Sequence, residues 1–376
     1  MIRMAKRKKT AVIVGYGGQG RYWHRTIKKH EDFELIGVVD TDTEMLANLS
    51  QVSKGDLDDD MGFTSIEEFV QFEGTPDLAV NATPNYAHHG TSQEILECGV
   101  NVICEKNMTD TIPKGRQMAQ AAMDHPELCT AMGTQYRYFT ISWTLKCFLE
   151  ECTGPDTDIG ELAFIDWEDY GYRGNKRWGW RRFLEDIYLD DVGAHTLDTL
   201  RYITDMEFVF IQASNFIMRG KGDGWYGSTT SMGNMALAKP EDYHDRHNWV
   251  WVRFIGDWGR KGPTFNKKDL AFTKGRAKAS QWGVETFIST DPIDSRKVEE
   301  DGYLPRHDVE GMDSSKTGQL VILEQMSKGI DSGGEVQPLT NFCEGFKSFA
   351  ATQAFKESSY TGQAINPQKY WKHFLD

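Results

Sequence analysis

Three glycines constrain this chain more than any other feature. Val12-Ile13-Val14-Gly15-Tyr16-Gly17-Gly18-Gln19-Gly20 ends a short apolar run, Ala11 to Val14, in the spacing G-x-G-x-x-G, and helix-compatible sequence follows at 21–30. This predicts a strand, a tight turn and a helix start. Gly15 permits the sharp turn, Gly17 lets the backbone approach a pyrophosphate, and Gly20 lets helix and strand pack closely. The helix N-terminus adds unpaired N–H groups and a positive dipole end. A second β-like run, Phe33 to Val39, ends at Asp40, twenty residues past Gly20. A carboxylate there accepts hydrogen bonds from both ribose hydroxyls of NAD and repels the 2′-phosphate of NADP. The expected cofactor is NAD.

Downstream, strands and helices alternate. A helix over 43–50, a capped helix from Ser65 with Glu68 three residues on, and a strand Pro76 to Ala82 halted by Thr83-Pro84-Asn85 come first. A helix over 90–97, a strand over 101–104, a helix over 113–123 and a strand over 129–132 complete the series. Such alternation predicts a doubly wound parallel sheet. Ligands bind at the C-terminal ends of its strands, where Gly15 to Gly20, Thr83 to His88 and Glu105 to Asn107 all fall. Beyond Arg137 the runs lengthen and become aromatic or alternating: Leu162 to Glu168, Phe208 to Ala213, Trp249 to Phe254 and Thr286 to Ser289. They predict an open, mainly antiparallel sheet. The expected fold is α/β, an N-terminal Rossmann domain over 1–137 followed by a C-terminal α+β domain over 138–376, whose late helix 343–357 could pack back on the first. An uncovered sheet face is a natural assembly surface, so a homo-oligomer, dimer or larger, is expected. Segments 218–247 and 259–280 stay unassigned.

A chain of 376 residues exceeds one ordinary hydrophobic core, in keeping with two domains. The formal net charge of −14 argues against nucleic acid or an anionic membrane as partner. The basic start, Arg3, Lys6, Arg7, Lys8 and Lys9, reads as a solvated chain end. No apolar run reaches bilayer length and no secretory signal is recognisable, so a cytoplasmic location is expected. Six scattered cysteines without a C-x-x-C pair give no zinc or redox motif, and Asp242, His244, Asp245 and His247 read as a solvated loop, so no metal is expected.

The landmarks Gly15 to Gly20, Asp40, Ala82-Thr83-Pro84-Asn85-Tyr86-Ala87-His88, Glu105-Lys106-Asn107, Tyr136-Arg137-Tyr138, Ile159-Gly160-Glu161 and Asp191-Val192-Gly193-Ala194-His195 together resemble the Gfo/Idh/MocA oxidoreductases, glucose-fructose oxidoreductase and inositol dehydrogenase among them. The resemblance runs over nearly the whole chain. It implies a Rossmann domain, a sheet domain that also serves assembly, a nicotinamide cofactor, and hydride chemistry on a sugar, polyol or related alcohol. Lys106 matches the lysine of the family's E-K-P motif, and an ammonium there stabilises developing alkoxide charge. Asp191 and His195 match its D-x-G-x-H motif and, four apart, would share one helical face. His195 is expected to take the hydroxyl proton as general base, with Asp191 binding a neighbouring hydroxyl and orienting the imidazole; a helix N-cap and a core histidine are the plain alternatives. Glu105 and Asn85, with Thr83 and Pro84, would hold the cofactor amide and ribose; His88 would touch the cofactor or end its loop. Arg137 and Tyr138 would contact substrate or cofactor, or pack. Asn107 departs from the family's proline, so the turn that aims Lys106 must form differently. Trp178 and Trp180 offer flat faces to a sugar or an aromatic aglycone. The function expected is NAD-dependent oxidation of a ring hydroxyl of a sugar or glycoside, at C3 in one version. The alternatives are glycoside cleavage by oxidation and elimination, or a non-catalytic dinucleotide sensor.

Overall fold

The run KTAVIV forms β1 (Lys9–Val14), buried at five of six positions. The computed structural model describes residues 7–217, 224–280, 282–290, 297–306 and 318–375. Within them β1 takes an inner place in a six-stranded parallel sheet with β2 (Phe33–Val39), β3 (Gly62–Phe63), β4 (Leu78–Asn81), β5 (Asn101–Cys104) and β6 (Thr130–Met132), in the order β3-β2-β1-β4-β5-β6. Its strands are short and apolar because helices cover such sheets on both faces. The helices are α1 (Gly18–Lys29), α2 (Thr43–Leu46), α3 (Leu49–Ser53), α4 (Ile66–Glu73), α5 (His88–Glu97) and α6 (Ile112–Asp124). The expected cap is present: Ser65 Oγ accepts from Glu68 N, 3.1 Å.

A second sheet has eight strands: β7 (Leu162–Tyr170), β8 (Glu207–Phe216), β9 (Thr230–Ala238), β10 (Val250–Asp257), β11 (Phe265–Phe272), β12 (Gly275–Ser280), β13 (Gly283–Ser289) and β14 (Val298–Tyr303). Their order is β14-β13-β12-β11-β7-β10-β9-β8, antiparallel throughout except that β7 and β10 run parallel. Helices α7 (Thr140–Cys152) and α8 (Ala194–Thr204) lie on one face, together with Ala351, Ala354 and Phe355 of the late helix, and there Ile165 and Trp167 of β7, Phe254 of β10 and Leu270 of β11 form a core with Leu145, Phe148, Leu197 and Leu200. The opposite face carries charge. Asp166 accepts from Arg253 Nε at 2.8 Å and from Lys267 Nζ at 2.6 Å, while Asp269 accepts from Arg276 Nη2 at 2.6 Å. Strands β9, β11 and β12 lie in the segments that the sequence left unassigned; half the positions of β11 and β12 are polar, and β9 mixes Thr230, Ser231 and Asn234 with small and apolar residues.

The chain divides into two units, Met1–Gln135 with Gly318–Phe346, and Tyr136–Thr317 with Lys347–Asp376. The first unit is thus discontinuous, unlike the expected 1–137 block. It gains α9 (Gln319–Asp331) and the start of α10 (Phe342–Thr361); α11 (Lys372–Leu375) lies in the second unit. Two anchors explain the return. The buried Lys9 ammonium donates to Ser327 Oγ at 2.9 Å and pairs with Asp331 at 2.8 Å. Edge strand β6 is capped by the returning backbone, Met132 N donating to Thr340 O at 2.7 Å and Phe342 N to Thr130 Oγ1 at 3.0 Å.

Candidate functional site

The β1–α1 turn is shaped by two glycines that tolerate no side chain. Gly15 has φ +89°, and a Cβ on it would lie 2.8 Å from Thr83 N; one on Gly20 would lie 2.1 Å from Gly15 O. Gly17 differs, with φ −72° and nothing within 4 Å of its Cβ position. The chain's own packing therefore does not require glycine there, whereas a group seated on the turn would. Helix α1 has no side-chain cap and no acid in its first turn, so its leading N–H groups and dipole suit an anion. Asp40 closes the cradle: its Oδ2 accepts from Tyr16 N at 2.7 Å and its Oδ1 from Asp42 N at 3.0 Å. Tyr16 itself points inward, its hydroxyl 2.6 Å from His24 Nδ1. These residues fit a dinucleotide.

The neighbouring loops follow β4 and β5. Asn81 Oδ1 accepts from Thr83 Oγ1 at 2.6 Å, setting the turn on which Thr83, Pro84 and Asn85 sit half-buried. His88, expected to touch the cofactor or to end its loop, is 1% exposed, with Nε2 2.8 Å from Thr83 O and Nδ1 2.7 Å from Asn107 O. Burial pushes its pKa down to about 4, against the pull of those two carbonyls. It braces the two loops. Glu105 is likewise a brace: buried, its Oε1 accepts from Trp23 Nε1 at 2.8 Å and Gln19 Nε2 at 3.2 Å, and burial pushes its carboxyl up. Gln19 and Glu105, both expected against the cofactor, thus meet each other and tie α1 to the end of β5. Between these braces Lys106 is half-buried, and the Lys106–Asn107 peptide is cis.

In the second unit a π-helical turn, Leu189–Gly193, leads into α8, with Ala194 N–H bonding back to Leu189 O. Asp191 lies on that wider turn and His195 on α8, so their spacing is not that of one regular helical face; such turns recur at functional sites. His195 is buried and stacks on Tyr136 with ring centroids 4.1 Å apart and planes 7° from parallel. Burial pushes the Tyr136 phenol up. Asp191, buried, takes two cations on one oxygen: Oδ2 is 2.9 Å from Arg181 Nε and 2.9 Å from Lys176 Nζ. Neighbouring acids serve elsewhere, Asp190 with Lys356 at 2.7 Å and Asp198 with Arg137.

Arg137 and Tyr138, expected either to contact substrate or cofactor or to pack, are both buried. The Arg137 fork closes on Asp198 through Nε and Nη2, each at 2.7 Å, and Ser348 Oγ donates to the same carboxylate at 2.6 Å. Burial alone would raise the Asp198 carboxyl; the Arg137 guanidinium overrides it and holds it below the usual range. The pair anchors the α8 helix from behind His195. Trp178 is 71% exposed, and Trp180 lies half-buried beneath the Arg181 guanidinium, 4.7 Å from its ring centroid. Sequence reasoning missed Tyr136, quoted only as a landmark, and the roles of Lys176 and Arg181; the basic, aromatic run 173–182 was their signal.

Among the described residues no helix is long and apolar enough to cross a membrane, and no three His, Cys, Asp or Glu side chains are grouped to hold a metal ion. Residues 9–132 match the model of the oxidoreductase family with an NAD-binding Rossmann fold, the Gfo/Idh/MocA family. The scyllo-inositol 2-dehydrogenase (NADP(+)) of Bacillus subtilis is 22% identical over 195 residues, 52% of this chain and 51% of the relative. The chain thus spans about half the length of the curated relatives it matches. Two solved structures share the fold. An oxidoreductase from Agrobacterium radiobacter, in complex with NAD+, L-tartaric acid and magnesium, has TM-score 0.75 at 17% identity over 96% of this chain and 99% of its own. A myo-inositol 2-dehydrogenase from Lactobacillus plantarum has TM-score 0.72 at 16% identity, again over 96% and 99%.

Proposed function

From the match of residues 9–132 to the Gfo/Idh/MocA oxidoreductase family, we propose that the chain oxidises a secondary hydroxyl of a sugar, polyol or glycoside with NAD as hydride acceptor. The observation that carries this reading is the uncapped glycine turn under Asp40, a seat for a dinucleotide; the second unit separately holds a buried histidine stacked on Tyr136 and an Asp191 carboxylate paired with Arg181 and Lys176. NAD, when bound, supplies the carbon that accepts hydride. Gly15, Gly17, Gly20 and the first turn of α1 hold its phosphates, Asp40 its ribose, and Thr83, Pro84 and Asn85 the remainder. Asp40 favours NAD over the NADP in the name of the Bacillus subtilis relative, because its carboxylate would repel a 2′-phosphate.

His195 Nε2 takes the hydroxyl proton as the carbon gives up hydride, and the Lys106 ammonium stabilises the oxygen's developing negative charge. The Tyr136 stack keeps the imidazole in one plane, so little ordering is left to the reaction itself. We assign Asp191 to holding Lys176 and Arg181 beside the substrate. A homo-oligomer would form through the charged sheet face, which also carries the exposed Phe164, Met232 and Phe265.

The test is direct. Nucleotide released by denaturing the purified protein, or NAD titrated into it, should register as a stoichiometric ligand. Lys106→Met and His195→Asn should keep NAD binding while losing 10²- to 10⁴-fold in NADH formation, as order-of-magnitude values for removing acid–base groups. Failure to bind NAD, or variants as active as the parent, would sink the reading.

A further inference from the structure

Alternate residues of a strand share one side of its sheet, so Ile165, Trp167 and Asp169 of β7 lie on the core side, joined there by Lys268 and Leu270 of β11. Ile165, Trp167 and Leu270 are apolar, as that side requires; Asp169 and Lys268 are charged. Other charges of these strands pair on the far side, Lys267 with Asp166 at 2.6 Å and Arg276 with Asp269 at 2.6 Å. On the core side Lys268 stands opposite Trp167, and Asp169 is the next residue along, a diagonal neighbour within reach of a long side chain. Among the described residues, however, no ion pair joins the two.

Each is held by an aromatic ring instead. Lys268 Nζ lies over Trp167, 4.6 Å from the ring centroid. Asp169 Oδ2 accepts from the Tyr188 hydroxyl at 3.1 Å. Tyr188 is fully buried, and its ring crosses β10 at Gly256, the residue paired with Asp169, where any Cβ would fall inside the ring. The same ring rests on the π-helical turn: a Cβ on Gly193, two residues before His195, would lie 3.5 Å from Tyr188 Cε1. One buried ring thus joins Asp169 to the turn that leads into the histidine. Asp169 and Lys268 are both half-buried, and charge in such a place is costly unless a polar group answers it. Burial pushes the Asp169 carboxyl up and the Lys268 ammonium down, in each case against the pull of the other.

We infer that Asp169 and Lys268 form a subsite for a vicinal diol, the carboxylate accepting from one hydroxyl and the ammonium donating to the oxygen beside it. This rests on the placement of substrate beside His195 proposed above. Tyr188 fixes one carboxylate oxygen and leaves the other for the diol. Such a subsite takes a polyol or a sugar and rejects a simple alcohol, which would leave both desolvated charges unanswered.

The experiment is calorimetric titration of the whole protein, with NAD present, using methyl glucoside, trans-1,2-cyclohexanediol and cyclohexanol as probes. NADH formation is recorded separately for each. The expected result is that both diol-bearing probes bind about tenfold more tightly than cyclohexanol, or better. Lys268→Met keeps an apolar stem against Trp167, and Asp169→Asn keeps an acceptor for Tyr188; each should remove most of the preference while leaving NAD affinity unchanged. Thermal unfolding of both variants checks that they fold, and if Asp169→Asn does not, Lys268→Met decides alone. Equal binding of all three probes, no binding of either diol, or a preference that survives in Lys268→Met overturns the inference. A preference that depends on Lys268 but yields no NADH counts against the dehydrogenase reading and leaves the subsite standing. NADH formed equally well by the parent and both variants does the reverse.

Discussion

His88 gives the sharpest test of how the loop bearing Lys106 is held. An ordinary imidazole titrates at 6.5 and the buried His88 at about 4, a difference worth about 3 kcal/mol. The sign follows from which state takes the proton first. Unfolded chain binds a proton near pH 6.5, whereas the folded ring resists it until about pH 4. The contribution is therefore fully present above about pH 6.5 and shrinks as pH falls, with about 2 kcal/mol gone by about pH 5. His88→Gln keeps one donor between Thr83 O and Asn107 O but cannot titrate. It should cost about 1–3 kcal/mol at neutral pH through the lost hydrogen bond and poorer fit. Urea unfolding of parent and variant, followed from about pH 7 to 5, should show the gap between them closing by about 2 kcal/mol. A gap that does not change with pH would refute the argument that the ring is buried neutral. Because Asn107 O is one anchor, the variant should also lower kcat more than NAD affinity.

Three shorter expectations accompany it. Gly20→Ala places a methyl 2.1 Å from Gly15 O, and should cost about 1–3 kcal/mol in thermal or urea stability while weakening NAD at least tenfold in titration. Asp40→Ala should narrow the preference for NAD over NADP by about tenfold or more, read as the ratio of dissociation constants. Arg137→Met strips a buried carboxylate of its partner and should cost about 3–5 kcal/mol, with Arg137→Met/Asp198→Leu recovering much of it in the same unfolding assay. Asp198 is held below the usual carboxylate range, so its contribution is full at neutral pH and is lost only in acid, as pH falls through its lowered value.

The parallel sheet was legible because every device that builds it is local: apolar runs, glycine spacing and a Ser65 cap within a few residues of each other. The second sheet was half legible. Strands such as FNKKDLAF (β11) and GRAKAS (β12) place lysine, arginine and aspartate on the face opposite the core, where Asp166, Asp269, Arg253, Lys267 and Arg276 satisfy one another across strands. Read along the chain, such residues resemble loop; only pairing at long range makes them strand. The candidate site shows the same limit. The resemblance to the family's E-K-P and D-x-G-x-H motifs singled out Lys106, Asp191 and His195. That His88 and Glu105 are internal braces, that Arg137 serves Asp198, and that Tyr136 stacks on His195 are facts of the third dimension, joining residues up to 86 positions apart in the case of Gln19 and Glu105.

The divided first unit also has a history written into it. A ribosome releases residues 7–135 long before 318–346, and at about 5–20 residues per second the wait is on the order of ten seconds or more. During that interval Met132 N and Thr130 Oγ1 on the rim of the sheet lack Thr340 and Phe342, and Lys9 lacks Ser327 and Asp331. The nascent Rossmann sheet is thus born with a bare flank and an unmatched inner cation. A fragment ending at 135 should inherit both defects and aggregate, while supplying the missing segment in trans should restore it.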